Sequence, residues 1–158
     1  MKTILIRTCV IASLFSASAW AAGGGGDAMP SRPVDPVIEK TQAAIAKRDW
    51  KQAQDVTREA LSKNPANADY HNLYAYSVRM GDNPAMDVVF MHYNEALRLD
   101  AKHRGAHEYL GEAYLMTGNL VKAKEHLRVL DNLCFLPCKE YSMLKQAVAE
   151  HEAKQTKK

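Results

Sequence analysis

The sequence predicts an all-α fold in which antiparallel helical hairpins stack as a short solenoid and a C-terminal helix caps the stack. Three observations carry that expectation. Between Asp35 and His151 apolar residues recur at spacings of three and four, with no run of period-two alternation. Turn signals at Asn64-Pro65, Gly81-Asp82-Asn83-Pro84 and Gly118-Asn119 punctuate the pattern. The plan of helix, short turn, helix returns about every 34 residues, which marks an internal repeat.

From the N-terminus, residues 1–22 read as a signal peptide. MKTILIRTCVIASLFSASAWAA joins the cations Lys2 and Arg7 to an apolar run and a small-residue end, with Ala19-Trp20-Ala21 as the cleavage pattern. Ser13, Ser16 and Ser18 interrupt the run, which is shorter than the roughly 20 residues a membrane span needs, so no membrane contact is expected after cleavage. The expected destination is the periplasm of a bacterium. Residues 23–35 follow as a flexible Gly/Pro-rich leader, because four glycines with Pro30 and Pro33 deny the chain a regular element.

Residues 36–137 hold three hairpins. In the first, Trp50, Ala53, Ala60 and Leu61 share one helical face, and Asn64-Pro65 ends it. The second runs as a helix to Met80, breaks at Gly81 to Pro84, and resumes with Val89, Tyr93, Ala96 and Leu97 on one face. The third repeats the plan around Gly118-Asn119. Pro137 then opens a capping helix, residues 138–153, with Tyr141, Leu144, Val148 and His151 on one side. AKQTKK finishes the chain, with residues 154–158 expected as a basic, solvated tail.

The third block resembles the tetratricopeptide repeat family. Leu110-Gly111, Tyr114, Gly118, Ala123 and Leu127 stand at the family's spacings, Trp50, Ala53, Ala60 and Pro65 match in the first block, and Leu73, Gly81, Tyr93, Ala96 and Leu97 in the second. Gly111 lets two helices approach, and Gly118 permits the tight turn. Two departures stand out: Tyr74 takes the place of a close-packing glycine, and about three extra residues surround Asp82-Asn83-Pro84. The resemblance implies a concave face, lined by the first helix of each hairpin, that holds an extended peptide or a partner's helix. Its groove positions fall on His71, Ala75, Val78 and Arg79 and on Glu108, Glu112, Leu115 and Met116. Two acids, one cation and small apolar residues suit a basic or amphipathic segment better than a carboxylate terminus.

Charge and cysteine count limit the function classes. Losing Lys2 and Arg7 with the signal peptide lowers the formal charge from +3 to +1, and no basic stripe with interleaved aromatics remains to bind nucleic acid. Cys9 leaves with the same segment, so Cys134 and Cys138 are the pair that reaches an oxidising compartment. Helix exit at Cys134 and helix start near Cys138 place both thiols across a chain reversal, where a disulfide would staple the last hairpin to its cap and contribute roughly 2 kcal/mol. Two other readings of CFLPC stay open, a redox pair favoured by Lys139 and a copper-type metal site. His103 and His107, four apart, would join the cysteines in the metal reading, although packing or helix capping is the commoner role. Met80, Met86, Met91, Met116 and Met143 read as core filler. No nucleophile, base and acid constellation or phosphate-binding loop can be assembled, so the expectation is a non-enzymatic adaptor for a protein or peptide partner, without cofactor. A metal-handling or thiol-redox accessory protein is the alternative.

Overall fold

The structure, a computed structural model, describes residues 35–136 and 138–156. The expected signal peptide and nearly all of the leader lie outside the described residues. Among the described residues seven helices run in order: α1 (Pro36–Ala46), α2 (Trp50–Lys63), α3 (Ala68–Arg79), α4 (Met86–Leu99), α5 (Arg104–Met116), α6 (Leu120–Leu133) and α7 (Lys139–Gln155). Each packs on its successor, and α7 lies against both α5 and α6. Among the described residues no helix is long and apolar enough to cross a membrane.

Local chemistry sets the helix starts. The side chains of Asp35, Asp49, Asn67 and Asn119 accept hydrogen bonds from backbone N–H groups of the first turns they precede. His103 caps α5 in the same way, its Nδ1 accepting from the Ala106 N–H at 3.1 Å. The α1–α2 and α5–α6 turns share one backbone shape, with a left-handed residue just before the N-cap. Gly118 takes it at φ 77°, and Arg48 takes it at φ 57°.

Two apolar clusters hold the stack. Ala75, Val89, Tyr93, Leu110 and Ala113 join α3, α4 and α5; Ala123, Leu130, Leu144 and Val148 join α6 to α7. Gly111 of α5 faces Leu144 of α7. A Cβ on Gly111 would stand 2.6 and 2.7 Å from the Leu144 methyls, so any larger residue forces the Leu144 side chain to shift.

Three expectations need adjusting. The close-packing position of the second hairpin is Ala75, fully enclosed, rather than Tyr74: Ala75 precedes Gly111 by 36 residues, as His71 precedes His107. The insertion in that hairpin is two residues, since first-helix positions recur after 36 and second-helix positions, such as His92 and His126, after 34. Cys138 is the N-cap of α7, not part of its first turn, and α7 continues to Gln155.

Candidate functional site

First helices α3 and α5 and the cap α7 enclose an open cleft of about 310 Å³, lined by Arg79, Glu112, Leu115, Met116, Ala147, Glu150, His151 and Lys154. Leu115, Met116 and Ala147 give it apolar surface, and charges of both signs surround them. Met116 is 54 % exposed, which leaves a flexible, polarisable side chain facing solvent at the cleft.

Arg79 is the organising residue. Only 6 % exposed, it donates to Glu112 Oε2 at 2.7 Å and to the buried Tyr93 hydroxyl at 3.4 Å. Its guanidinium carbon lies 5.5 Å from the Tyr76 ring centre and 5.7 Å from that of Tyr109, and the two rings are 4.7 Å apart. Burial alone would lower the Arg79 pKa, but Tyr93 and Glu112 outweigh it and hold the group more firmly charged. The guanidinium therefore ties α3 to α5 and leaves one edge toward Met116, whose sulfur is 3.7 Å from Nη1.

The other groove positions lie elsewhere. Ala75 is fully enclosed and Val78 packs on the same core cluster. His71 is buried in the second hairpin, 2.7 Å from His92. Glu108 is 3 % exposed, and its Oε1, like Oδ1 of the buried Asn72, has no hydrogen-bond partner. Burial, reinforced by Glu112 and Glu140, pushes the Glu108 carboxyl up to about 7. A carboxyl so raised is protonated in mild acid, where it supplies a donor that the carboxylate form lacks.

The cysteine question has a direct answer, for Cys134 and Cys138 are joined by a disulfide across the α6–α7 reversal, with their Cα atoms 5.8 Å apart. Both sulfurs are used by each other. His103 gives one ring nitrogen to the α5 cap and the other to Asp69 at 3.1 Å, while His107 bonds His126 and the Ala101 carbonyl. The structure thus assigns a ligand role to neither the cysteine pair nor the histidine pair.

Sequence reasoning missed the α7 wall of the cleft. Ala147, Glu150, His151 and Lys154 are contributed by a helix that the sequence reads as a cap, with Lys154 in the solvated tail. The signal was present in Leu144 and Val148, which seat α7 beside α5 as a further first helix would be seated.

No protein-family model matches the chain, and no curated protein matches it in sequence. Solved structures do resemble it. The Yersinia enterocolitica type III secretion translocator chaperone SycD superposes with a TM-score of 0.63 at 13 % identity, over 77 % of this chain and 82 % of its own. The fold is tetratricopeptide-like. The tetratricopeptide repeat domain of Arabidopsis OM64 gives 0.60 at 21 % identity, over 73 % and 93 %. SycD in complex with a peptide of the translocator YopD gives 0.61 at 16 % identity, over 77 % and 92 %.

Proposed function

We propose that the chain is an exported, non-enzymatic adaptor that holds an amphipathic segment of a partner protein in the cleft between α3, α5 and α7. The carrying observation is the cleft itself, where Leu115, Met116 and Ala147 lie among paired and unpaired charges. Its volume accommodates one large apolar side chain, and its rim of Glu112, Glu150, His151 and Lys154 matches flanking charges of either sign. Arg79 already spends its charge on Glu112, so a terminal carboxylate is not the ligand that this cleft selects. A solved relative in fold, SycD, is a chaperone captured with a peptide of YopD, which supports a peptide as the class of ligand. A short, partly polar contact of this kind gives roughly micromolar binding.

The N-terminal pattern of Lys2, Arg7 and Ala19-Trp20-Ala21 supports export, and the Cys134–Cys138 bond fits an oxidising compartment. In this reading the disulfide fixes the start of α7 and so steadies one wall of the cleft.

The test is site-specific photo-crosslinking in the producing cell. A photoreactive amino acid replaces Met116 at the cleft or Val121, which is 70 % exposed on α6 and outside the cleft lining. A discrete adduct from position 116 and none from position 121 is the expected result. Equal labelling from both, or no adduct from position 116, overturns the reading.

A further inference from the structure

Four buried or half-buried histidines form two dyads at the same place in successive hairpins. His71 Nδ1 of α3 lies 2.7 Å from His92 Nδ1 of α4, and His107 Nδ1 of α5 lies 2.9 Å from His126 Nδ1 of α6. Ring centres are 4.9 and 5.2 Å apart, longer than the N–N distances by about one ring width, so the imidazoles meet end to end. Tautomers follow from the far side of each inner ring. His71 Nε2 meets the Pro65 carbonyl at 2.9 Å, and His107 Nε2 meets the Ala101 carbonyl at 3.1 Å. A carbonyl only accepts, so the inner rings carry their proton on Nε2 and present a bare Nδ1. His92 and His126 must then donate from Nδ1.

The first hairpin lacks the device. Aligning the N-caps Asp49 and Asn119 places Val37 and Val56 where α5 and α6 carry His107 and His126.

A dyad tolerates one added proton and refuses a second. The first goes to Nε2 of the outer ring, which keeps its Nδ1–H bond but must hold a charge in a half-buried site beside a second ring, so it is taken up only at a cost in stability. A second must go to the inner Nδ1, which sets N–H against N–H at under 3 Å and breaks the link between first and second helix. The surroundings give the imidazolium little support. On the first dyad act the Tyr74 ring, with Arg58 above it, and Glu95, which Arg98 already pairs. On the second act Asp100, His103, the stacked Tyr114 ring, and Glu125, which Lys122 pairs.

From this geometry we infer that the dyads are proton-operated latches: neutral, they tie α3 to α4 and α5 to α6, and acidification opens both hairpins that carry the cleft. Loss of a held partner on acidification would follow, and that step alone rests on the function proposed above.

Burial and the neighbouring ring lower His92; burial, with a smaller push from His103, lowers His107; burial and His107 lower His126 to about 4. With folded values below the ordinary 6.5, the unfolded chain binds more protons in this window. The latch contribution is complete above about pH 6.5 and is lost as pH falls toward 4. Glu108, raised to about 7, works in the opposite sense between about 7 and 4.5, so the measurement compares variants at each pH.

The experiment is urea unfolding of the full chain from pH 7.5 to 4, for wild type and for His92→Asn with His126→Asn, in which Asn keeps an N–H donor. The wild-type unfolding constant should rise by about a hundredfold or more relative to the variant across that range. An equal pH slope in both overturns the inference. Nitrogen NMR of the wild-type imidazoles gives a second readout that needs no variant to fold. Nε2–H inner rings, Nδ1–H outer rings and His126 titrating far below 6.5 are expected; the reverse tautomers or ordinary titration would reject the latch. Neither measurement needs a partner, so failure here is separable from failure of the crosslink at position 116.

Discussion

The first hairpin and the last two follow one plan with different contents. The buried residues of α1 and α2 are Ala44, Ala53 and Ala60 with Thr41 and Thr57, whose hydroxyls bond their own helices at the carbonyls of Val37 and Ala53. Between α3 and α6 stand aromatic rings, the buried Arg79 and the histidine dyads. Small residues and self-satisfied hydroxyls bring two helices together without requiring a particular neighbour. Rings, a guanidinium and paired imidazoles demand matched partners on the adjoining helix, so they fix how one hairpin sits on the next. Of these groups Arg79 lines the cleft itself, and the dyads stand within the hairpins that carry it.

The largest break in that contrast should come from Arg79→Ala. It strips two rings of their cation, leaves the Tyr93 hydroxyl enclosed and leaves Glu112 facing a void. Removing one partner of a buried pair costs about 3–5 kcal/mol, and Glu112, 23 % exposed, recovers some hydration, so about 3 kcal/mol is expected. Urea midpoints measure it. A loss under about 1 kcal/mol would mean that the α3–α5 seam is held by the apolar cluster alone.

Much of the fold was legible because helical period and turn residues are local signals. Leu110-Gly111, Gly118 and Ala123 located the third hairpin, and Gly111 meets the Leu144 side chain where a Cβ would overlap it. The cleft was legible in part: Arg79, Glu112, Leu115 and Met116 all line it. What failed was register. Reading Tyr74 in place of Ala75 shifted the second hairpin by one residue and hid the equivalence of His71 with His107. The spacing of His103 and His107 drew attention to neighbours in sequence, whereas His107 pairs with His126, nineteen residues on and across a turn. Glu108 reads as a groove position beside Glu112 because their spacing puts both on one helical face. Its charged neighbours include Lys139 and Glu140 at the start of α7 and Arg79 of α3, which no local pattern brings together.

A smaller break is expected from Gly111→Ala. Mid-helix alanine gains about 1 kcal/mol of propensity over glycine, yet its methyl would overlap Leu144, which is fully buried and has no free space to enter. Overpacking of this kind costs about 1–3 kcal/mol, so a net loss near 1 kcal/mol is expected, felt first as fraying of α7. Hydrogen exchange along α7 reads it directly. Leu144→Val in the same chain should restore protection, and failure to do so would mean the two residues are not in contact.

The smallest effect sharpens the contrast instead of breaking it. Arg48 holds φ 57° in a turn where the third hairpin has Gly118 at φ 77°, and a left-handed non-glycine residue costs about 1–2 kcal/mol. Arg48→Gly removes that strain while adding unfolded-state freedom, which returns part of the gain. A stabilisation of about 0.5–1 kcal/mol is expected, a rise of a few degrees in Tm. The reciprocal change isolates the backbone term, because nothing lies within 4 Å of a Cβ built on Gly118. Gly118→Ala can lose stability only through its dihedral, so it should lose about what Arg48→Gly gains. Unequal magnitudes would show that the Arg48 side chain, exposed though it is, contributes to the first hairpin beyond its place in the turn.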